Sequence, residues 1–154
     1  NPLAAGRGPW SYLKPTAESV AAHELGEQVG LRPNDCSAPI EWLSGGNQQK
    51  VVVGRWLHLC GRVYVFEDPT AGVDVGAKAD IYKLFDVALG RGATILIVST
   101  DFEEVAKVCR RALVFDRGRV VAELSAENLS VENLLASASA RVGHAAPDHA
   151  VAQI

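Results

Sequence analysis

Residues 43–50 read LSGGNQQK, and residues 63–74 read VYVFEDPTAGVD. The first segment sets Ser44, Gly45 and Gly46 ahead of a helix-forming run. Small residues at a helix start leave backbone N–H groups unpaired and the positive end of the helix dipole open, which suits an anion such as phosphate. The second segment is an apolar strand running into Glu67 and Asp68, then Pro69, Thr70 and a glycine-containing loop that ends in Asp74. Adjacent carboxylates at a strand end can hold Mg2+ and orient a water for attack on phosphorus. Taken singly, Ser-Gly-Gly is a turn and helix cap, and two acids can simply cap a loop. Their order along one chain is what points to phosphate chemistry.

The elements that must position these residues follow from periodicity. Residues 1–14 are rich in Gly, Pro and small side chains without a period and read as a loop or a cut end. Thr16 is placed to cap a helix running to Gly30, and residues 32–42, with two prolines and an Asn-Asp pair, read as a linker into the Ser-Gly-Gly segment. Val52, Val53, Trp56, Leu57 and Cys60 recur at helical spacing and are expected to share one buried face, with Gly61 stopping the helix. Gln48, Gln49 and Lys50 are expected on that helix's surface, and Arg55 either exposed or paired with a carboxylate. The run Val63 to Phe66 reads as a strand buried on both faces of a parallel sheet. Ile81, Leu84, Phe85, Ala88 and Leu89 mark the next helix, with Gly90 as a left-handed cap. Residues 94–98 form a second buried strand, Asp101 caps a helix over 102–109, and residues 112–116 and 119–124 form a hairpin turned at Arg117-Gly118. One short helix through Ala136 precedes a tail dominated by Ala, Ser, His and Pro, whose apolar content is too thin to offset the entropy of ordering. Strands alternating with helices give an α/β class.

The series LSGG, a helix, a strand ending in two acids and Pro-Thr, a loop Asp, and a second strand leading to position 100 resembles the back half of an ABC-type ATPase. The wording LSGGNQQK followed by GVDVGAK is similar to the second cassette of bacterial importers for ribose, xylose, galactose and related sugars, over residues 16–135. The resemblance implies a layered, P-loop-NTPase-like, mostly parallel sheet with flanking helices. Residues 1–42 would be the end of a helical subdomain and a linker, 43–138 the C-terminal part of the ATPase core, and 139–154 a weakly ordered tail. It implies ATP and Mg2+ as cofactors. Ser44, Gly45, Gly46, Asn47 and Gln48 would bind nucleotide held by the opposite subunit, and Asp74 would communicate between two nucleotide sites. Glu67 would bind the metal, Asp68 would polarise the attacking water, and Thr100 would stand at the switch position. The implied partners are a second nucleotide-binding domain and membrane permease subunits, at the cytoplasmic face of the cell membrane.

The departures from that pattern are specific. A phosphate-cradling loop needs Gly, four residues, then Gly-Lys-Ser/Thr, and no such string occurs in the chain. Gly72 and Gly76 are separated by only three residues and are not followed directly by Lys. The chain therefore reads as a piece of a longer polypeptide, lacking the half that clasps ATP and inactive by itself. Glu67-Asp68 reverses the family's Asp-Glu order. One methylene moves a carboxylate by roughly 1.5 Å, and misplacing a catalytic group by about 1 Å can cost on the order of a hundredfold in rate. Either hydrolysis is slowed, leaving a degenerate cassette that binds and dimerises, or small backbone shifts restore the geometry. Asn47 stands where most relatives carry Gln and donates with less reach, and Thr100 lacks the imidazole of a switch His.

Composition narrows the remaining classes. At 154 residues and 48% hydrophobic the chain can bury a core. A net charge of −3 with scattered Lys and Arg gives no footprint for nucleic acid, and no heptad arms accompany the cassette motifs. No apolar run approaches the roughly 18 residues of a membrane helix, and the N-terminus lacks a secretory pattern. Cys36, Cys60 and Cys109 lack metal-ligand spacing and are expected as free thiols in a reducing compartment. His23-Glu24 lacks the second His of a zinc site, so a solvated helix face is expected there. An absent P-loop strand would leave a sheet edge or face uncovered, and the isolated chain is expected to self-associate.

Overall fold

The computed structural model describes residues 15–139 and 150–153, and the expectations for residues 1–14 and for most of the tail lie outside them. The chain divides into two compact units. The first comprises residues 1–61 and 70–91, the second residues 62–69 and 92–154. These are not the spans read from the sequence: the LSGG helix and the helix after Asp74 both fall in the first unit, with the N-terminal region.

The first unit is helical. Helix α1 spans Pro15–Gln28, a 3-10 turn spans Ile40–Trp42, α2 spans Gly45–Leu57 and α3 spans Val75–Gly90. The stripe that α2 buries is Gly46, Lys50, Val53, Gly54 and Leu57, whereas Val52 and Trp56 are exposed. The expected apolar face is thus corrected. Two glycines let the neighbouring helices approach, so the helix turns its small residues inward rather than all of its large ones. At Gly54 there is no room for a Cβ beside Val29, and Arg55, exposed, lies over the Trp56 ring at 5.9 Å from its centroid.

Lys50 is the second correction to α2. It is 6% exposed rather than on the surface, and its Nζ donates to the Gly30 carbonyl at 2.8 Å and to Asp80 Oδ2 at 3.3 Å. A buried ammonium needs such partners. Asp80 also pairs with Lys83 at 3.1 Å, and the Lys83 and Lys50 ammoniums together hold its carboxyl below the ordinary carboxylate value. In α3 the buried residues are Ala77, Ile81, Phe85 and Ala88. The left-handed residues are not at the expected stops: after α3 it is Gly92, two residues beyond Gly90, and after α2 it is Cys60, one residue before Gly61. On α1, His23 and Glu27 pair on the exposed face, as a solvated face requires.

The second unit is a five-stranded sheet with two helices. Strand β1 is Val63–Glu67, β2 Thr94–Ser99, α4 Phe102–Val108, β3 Arg111–Asp116, β4 Arg119–Ser125, α5 Val131–Ser139 and β5 Ala150–Gln153, in the spatial order β1-β2-β5-β3-β4. Strands β1 and β2 pair in parallel, and β5 is antiparallel to both β2 and β3. So β1, β2 and β3 share one direction. The β3-β4 hairpin turns through Arg117 and Gly118, both at positive φ, the backbone a tight primed turn demands. Ile95, Ile97, Ala112, Val114, Val105 and Leu134 make this unit's core.

One expectation changes in this unit. Strand β1 is not buried on both faces: Val63 and Val65 are 61% and 65% exposed, because alternation sends every second side chain to a sheet face that is left open. Beyond Ser139, the described residues of the segment expected as a weakly ordered tail are Ala150–Gln153, which pair as β5 with β2 and β3. No helix among the described residues is long and apolar enough to cross a membrane.

All three cysteines are free; Cys36 and Cys60 are exposed and Cys109 is buried. Burial, reinforced by the Glu104 carboxylate, pushes the Cys109 thiol up to about 12 from 9.0. The unfolded chain then loses this proton before the folded one does. The contribution of Cys109 to stability is full below pH 9 and declines as pH rises toward 12. Iodoacetamide at about pH 8.5, near the ordinary thiol value, is expected to label Cys36 and Cys60 and to reach Cys109 only after denaturation, as read by peptide mass mapping. Equal labelling of Cys109 in the folded protein would contradict this packing.

Candidate functional site

The signature segment of the first unit is built on two helix starts that meet. Ser44 caps α2, its Oγ accepting from the Asn47 N–H at 3.4 Å. Asp74 caps α3, its Oδ1 accepting from the Ala77 N–H at 3.0 Å. The two caps are neighbours: a Cβ added to Gly46 would lie 2.7 Å from Ala77 Cβ and 3.4 Å from Asp74 Oδ2. The glycines therefore divide their work. Gly46 is buried and small so that the first turns of α2 and α3 can touch. Gly45 is exposed, with nothing within 4 Å of where a Cβ would stand, and its backbone is free for close approach by a ligand. Both helix N-termini bring positive dipole ends to this place, and the Asp74 carboxylate offsets part of that field.

The amides expected to reach nucleotide are engaged within the protein. Asn47 Nδ2 donates to the Arg32 carbonyl at 2.9 Å, and Gln48 Nε2 donates to the Leu43 carbonyl at 2.9 Å. Both side chains brace the segment leading into the cap. In this arrangement the groups of the LSGG segment that face outward are the backbone of Gly45 and the Ser44 side chain, since both residues are exposed.

The acidic group lies in the second unit, at the C-terminal ends of the parallel strands β1 and β2, the end at which α/β sheets bind ligands. Glu67 is the last residue of β1, in register with Val98 of β2. It is exposed and lies on the same face of β1 as Val63 and Val65. Asp68 leaves the strand with φ 42°, and its N–H donates to the Val98 carbonyl at 2.8 Å. An Asp tolerates the left-handed region better than most residues, at some cost. Pro69, the next residue, is buried. Thr100 is exposed and follows β2 directly. Among the described residues no group of three or more His, Cys, Asp and Glu could hold a metal. One or two carboxylates completed by water and phosphate oxygens is the way Mg2+ is commonly held, and Glu67 with Asp68 fits that role and not an all-protein cage.

Beside Thr100 is a buried network that sequence reasoning missed. Ser99 is 1% exposed and Glu104 5% exposed. Ser99 Oγ donates to Glu104 Oε2 at 3.1 Å and accepts from the Asp101 N–H at 3.1 Å, while Asp101 Oδ1 accepts from the Glu104 N–H at 3.0 Å. Asp101-Phe-Glu-Glu104 is a capping-box spacing, closed here through a serine hydroxyl. That spacing was the available signal. The network fixes the backbone on both sides of Thr100.

The fold is similar to part of the ATP-binding cassettes of ABC transporters. A solved ATP-binding cassette of an ABC transporter superposes with TM-score 0.66 at 25% identity, over 82% of this chain and 49% of that one. The same cassette in its ADP conformation gives TM-score 0.65 at 25% identity over 89% of this chain and 54% of that one. No family model matches the chain. In sequence it is homologous to ribose import ATP-binding proteins, at 42% identity over 124 residues to one from Rhizobium meliloti and 37% over 142 residues to one from Hahella chejuensis. These alignments cover 80% and 92% of this chain but only 25% and 28% of those proteins.

Two outcomes test this geometry. Gly46→Ala is expected to cost about 1–3 kcal/mol by overpacking, whereas Gly45→Ala should be neutral or slightly stabilising, by up to about 1 kcal/mol of helix propensity; urea midpoints of the two variants read the difference, and equal midpoints would deny the contact with Asp74 and Ala77. Ser99→Ala, which takes a hydroxyl partner from buried Glu104, is expected to cost about 1–3 kcal/mol, read the same way.

Proposed function

We propose that this chain supplies the signature segment and the acidic strand end of an ATP-hydrolysing subunit of a bacterial ABC-type sugar importer. The single observation that supports this most is the pairing of an open Gly45 with a Gly46 that must stay small, on a chain homologous to ribose import ATP-binding proteins. Ser44 and the Gly45 backbone would donate to the terminal phosphate of ATP bound by a second nucleotide-binding domain, and Asp74 would sit beside that contact. Bound Mg2+ supplies charge neutralisation on the phosphate oxygens. Glu67 would hold that ion, and Asp68 would accept a hydrogen bond from the attacking water and align it. Thr100 would offer a hydroxyl to the phosphate from a backbone that Ser99 and Glu104 keep in place. Asn47 and Gln48 would act at one remove, by bracing the cap. Working partners would be that second domain and a membrane permease, with the subunit peripheral on the cytoplasmic face of the membrane.

A second reading, a cassette that binds and dimerises without useful turnover, is favoured by the reversed Glu67-Asp68 order together with the left-handed backbone at Asp68. Mg2+-dependent ATP hydrolysis separates the two. This chain alone should turn over nothing, while a longer polypeptide with a P-loop segment ahead of Asn1 should be active and should lose about 10²-fold or more with Asp68→Asn. A longer polypeptide that binds ATP yet matches its Asp68→Asn variant in rate, and gains rate when residues 67 and 68 are exchanged, would establish the second reading.

A further inference from the structure

Thr100 follows β2 with its side chain exposed, and that side chain carries a hydroxyl and no ionisable group. Where the hydroxyl points is decided by the backbone beneath it. Ser99 Oγ accepts from the Asp101 N–H at 3.1 Å, a bond from a serine to the residue two further on, which closes a small ring around residue 100. A ring of this kind is weak while the serine hydroxyl is free to rotate. Here the rotation is stopped. A hydroxyl has one proton and two lone pairs. The proton of Ser99 goes to Glu104 Oε2 at 3.1 Å, and a lone pair is thereby turned toward the Asp101 N–H.

Capping of α4 does not by itself explain Glu104. In a capping box the acid in the third helical position takes the N–H of the cap residue directly. In this chain the Asp101 N–H goes to Ser99 instead, and the acid holds the serine. Nor does the helix start need the charge of a buried acid, because Glu103 stands exposed in the same turn and serves the dipole without desolvation. Glu104 is 5% exposed, and burying a carboxyl group is costly unless it is hydrogen-bonded. Its own N–H is fixed by Asp101 Oδ1 at 3.0 Å, so the acceptor offered to Ser99 stands on a tethered backbone. The described links form a closed path, from Ser99 to Glu104, back to Asp101 and from there to Ser99, with Thr100 as the residue it encloses.

We propose that Glu104 is a positioning residue for Thr100: through the Ser99 hydroxyl it sets the backbone from which the Thr100 hydroxyl meets the terminal phosphate of ATP. The proposal rests on the reading of Thr100 as a phosphate contact. What Glu104 supplies is an acceptor at a fixed distance, and not a charge near the phosphate, so its length matters more than its ionisation. Shortening the side chain by one methylene withdraws the acceptor by roughly 1.5 Å, which takes the Ser99 hydroxyl out of bonding range. Misplacing a group at the reacting centre by about 1 Å can cost on the order of a hundredfold in rate.

The test is a double-mutant cycle on Mg2+-dependent ATP hydrolysis by the longer polypeptide that carries a P-loop segment, with every variant checked for a cooperative melt. Glu104→Gln, which keeps an acceptor at the same reach, is expected to hold kcat within about threefold, whereas Glu104→Asp should lower kcat by about tenfold or more. KM for ATP should stay within about twofold in both, since the interaction lost is one made in the transition state. Thr100→Val should lower kcat by itself, and adding Glu104→Asp to it should cost less than about twofold more, because a residue that acts through another has nothing left to position. Ser99→Ala removes the intermediary without touching the acid, is expected to match Glu104→Asp, and takes its place in the cycle if Glu104→Asp does not melt cooperatively. A Glu104→Asp rate equal to the unmodified one, a Glu104→Gln variant as slow as Glu104→Asp, or losses at 100 and 104 that multiply in full would overturn the positioning role and leave Thr100 as a phosphate contact. A Thr100→Val variant with unchanged kcat, or a longer polypeptide that hydrolyses no ATP, would overturn the reading of Thr100 and this proposal with it.

Discussion

The first unit depends on one buried cation. Lys50 reaches the carbonyl of Gly30 and the carboxylate of Asp80, and so ties the end of the first helical segment, the middle of α2 and the first turns of α3. An ammonium that is 6% exposed has lost its water and is tolerable only while those oxygens stay in place. Its effect on the site is geometric. One turn before Lys50 stands Gly46, and less than two turns before Asp80 stands Asp74, so clamping the two helices at one level sets the contact between their caps at the next. The open backbone at Gly45 is a by-product of that clamp.

In the second unit the equivalent constraint is the pair of parallel strand ends. Asp68 N–H to the Val98 carbonyl continues the β1-β2 ladder one step beyond the strand. Ser99, the next residue of β2, closes the cap of α4 through Glu104. The chain emerging from β1 and the chain emerging from β2 are thereby fixed at adjacent points, one carrying Asp68 and the other Thr100. Neither side chain needs to be buried for its position to be determined, because the backbone beneath it is.

The parts legible in the sequence were those written in punctuation. Asp101 as a cap, the Arg117-Gly118 turn and the order of strands and helices all follow from residue types with strong local preferences, whereas the capping of α3 by Asp74 was not read from the sequence. Faces were less legible. Helix α2 was read by its large apolar residues, yet its buried stripe contains two glycines and a lysine, since helix approach distance rather than hydrophobicity decided the face. Strand β1 was read as buried from a continuous apolar run, but one face of the sheet is open there and every second residue is exposed. The segment Ala150–Gln153 has no signal of its own. It is seen as a strand only in its pairing with β2 and β3, which are distant in sequence and outside any local reading.

The reversed acids look different once their backbones are known. In the sequence the exchange of Asp and Glu seems symmetrical, one carboxylate lengthened and the other shortened by a methylene. In the structure the two positions obey different rules. Glu67 belongs to the ladder, so its longer side chain simply reaches further along the direction the strand dictates. Asp68 has left the ladder with a positive φ, a conformation more readily adopted by Asp than by Glu because its short polar side chain can hydrogen-bond locally. The shorter acid at position 68 is therefore matched to its backbone, and the longer acid at 67 to the straight end of a strand. That agreement makes the reversal a coherent local solution rather than two independent losses, and it puts the chemical consequence on one distance: how far the Asp68 carboxylate falls short of a water that a longer side chain would reach.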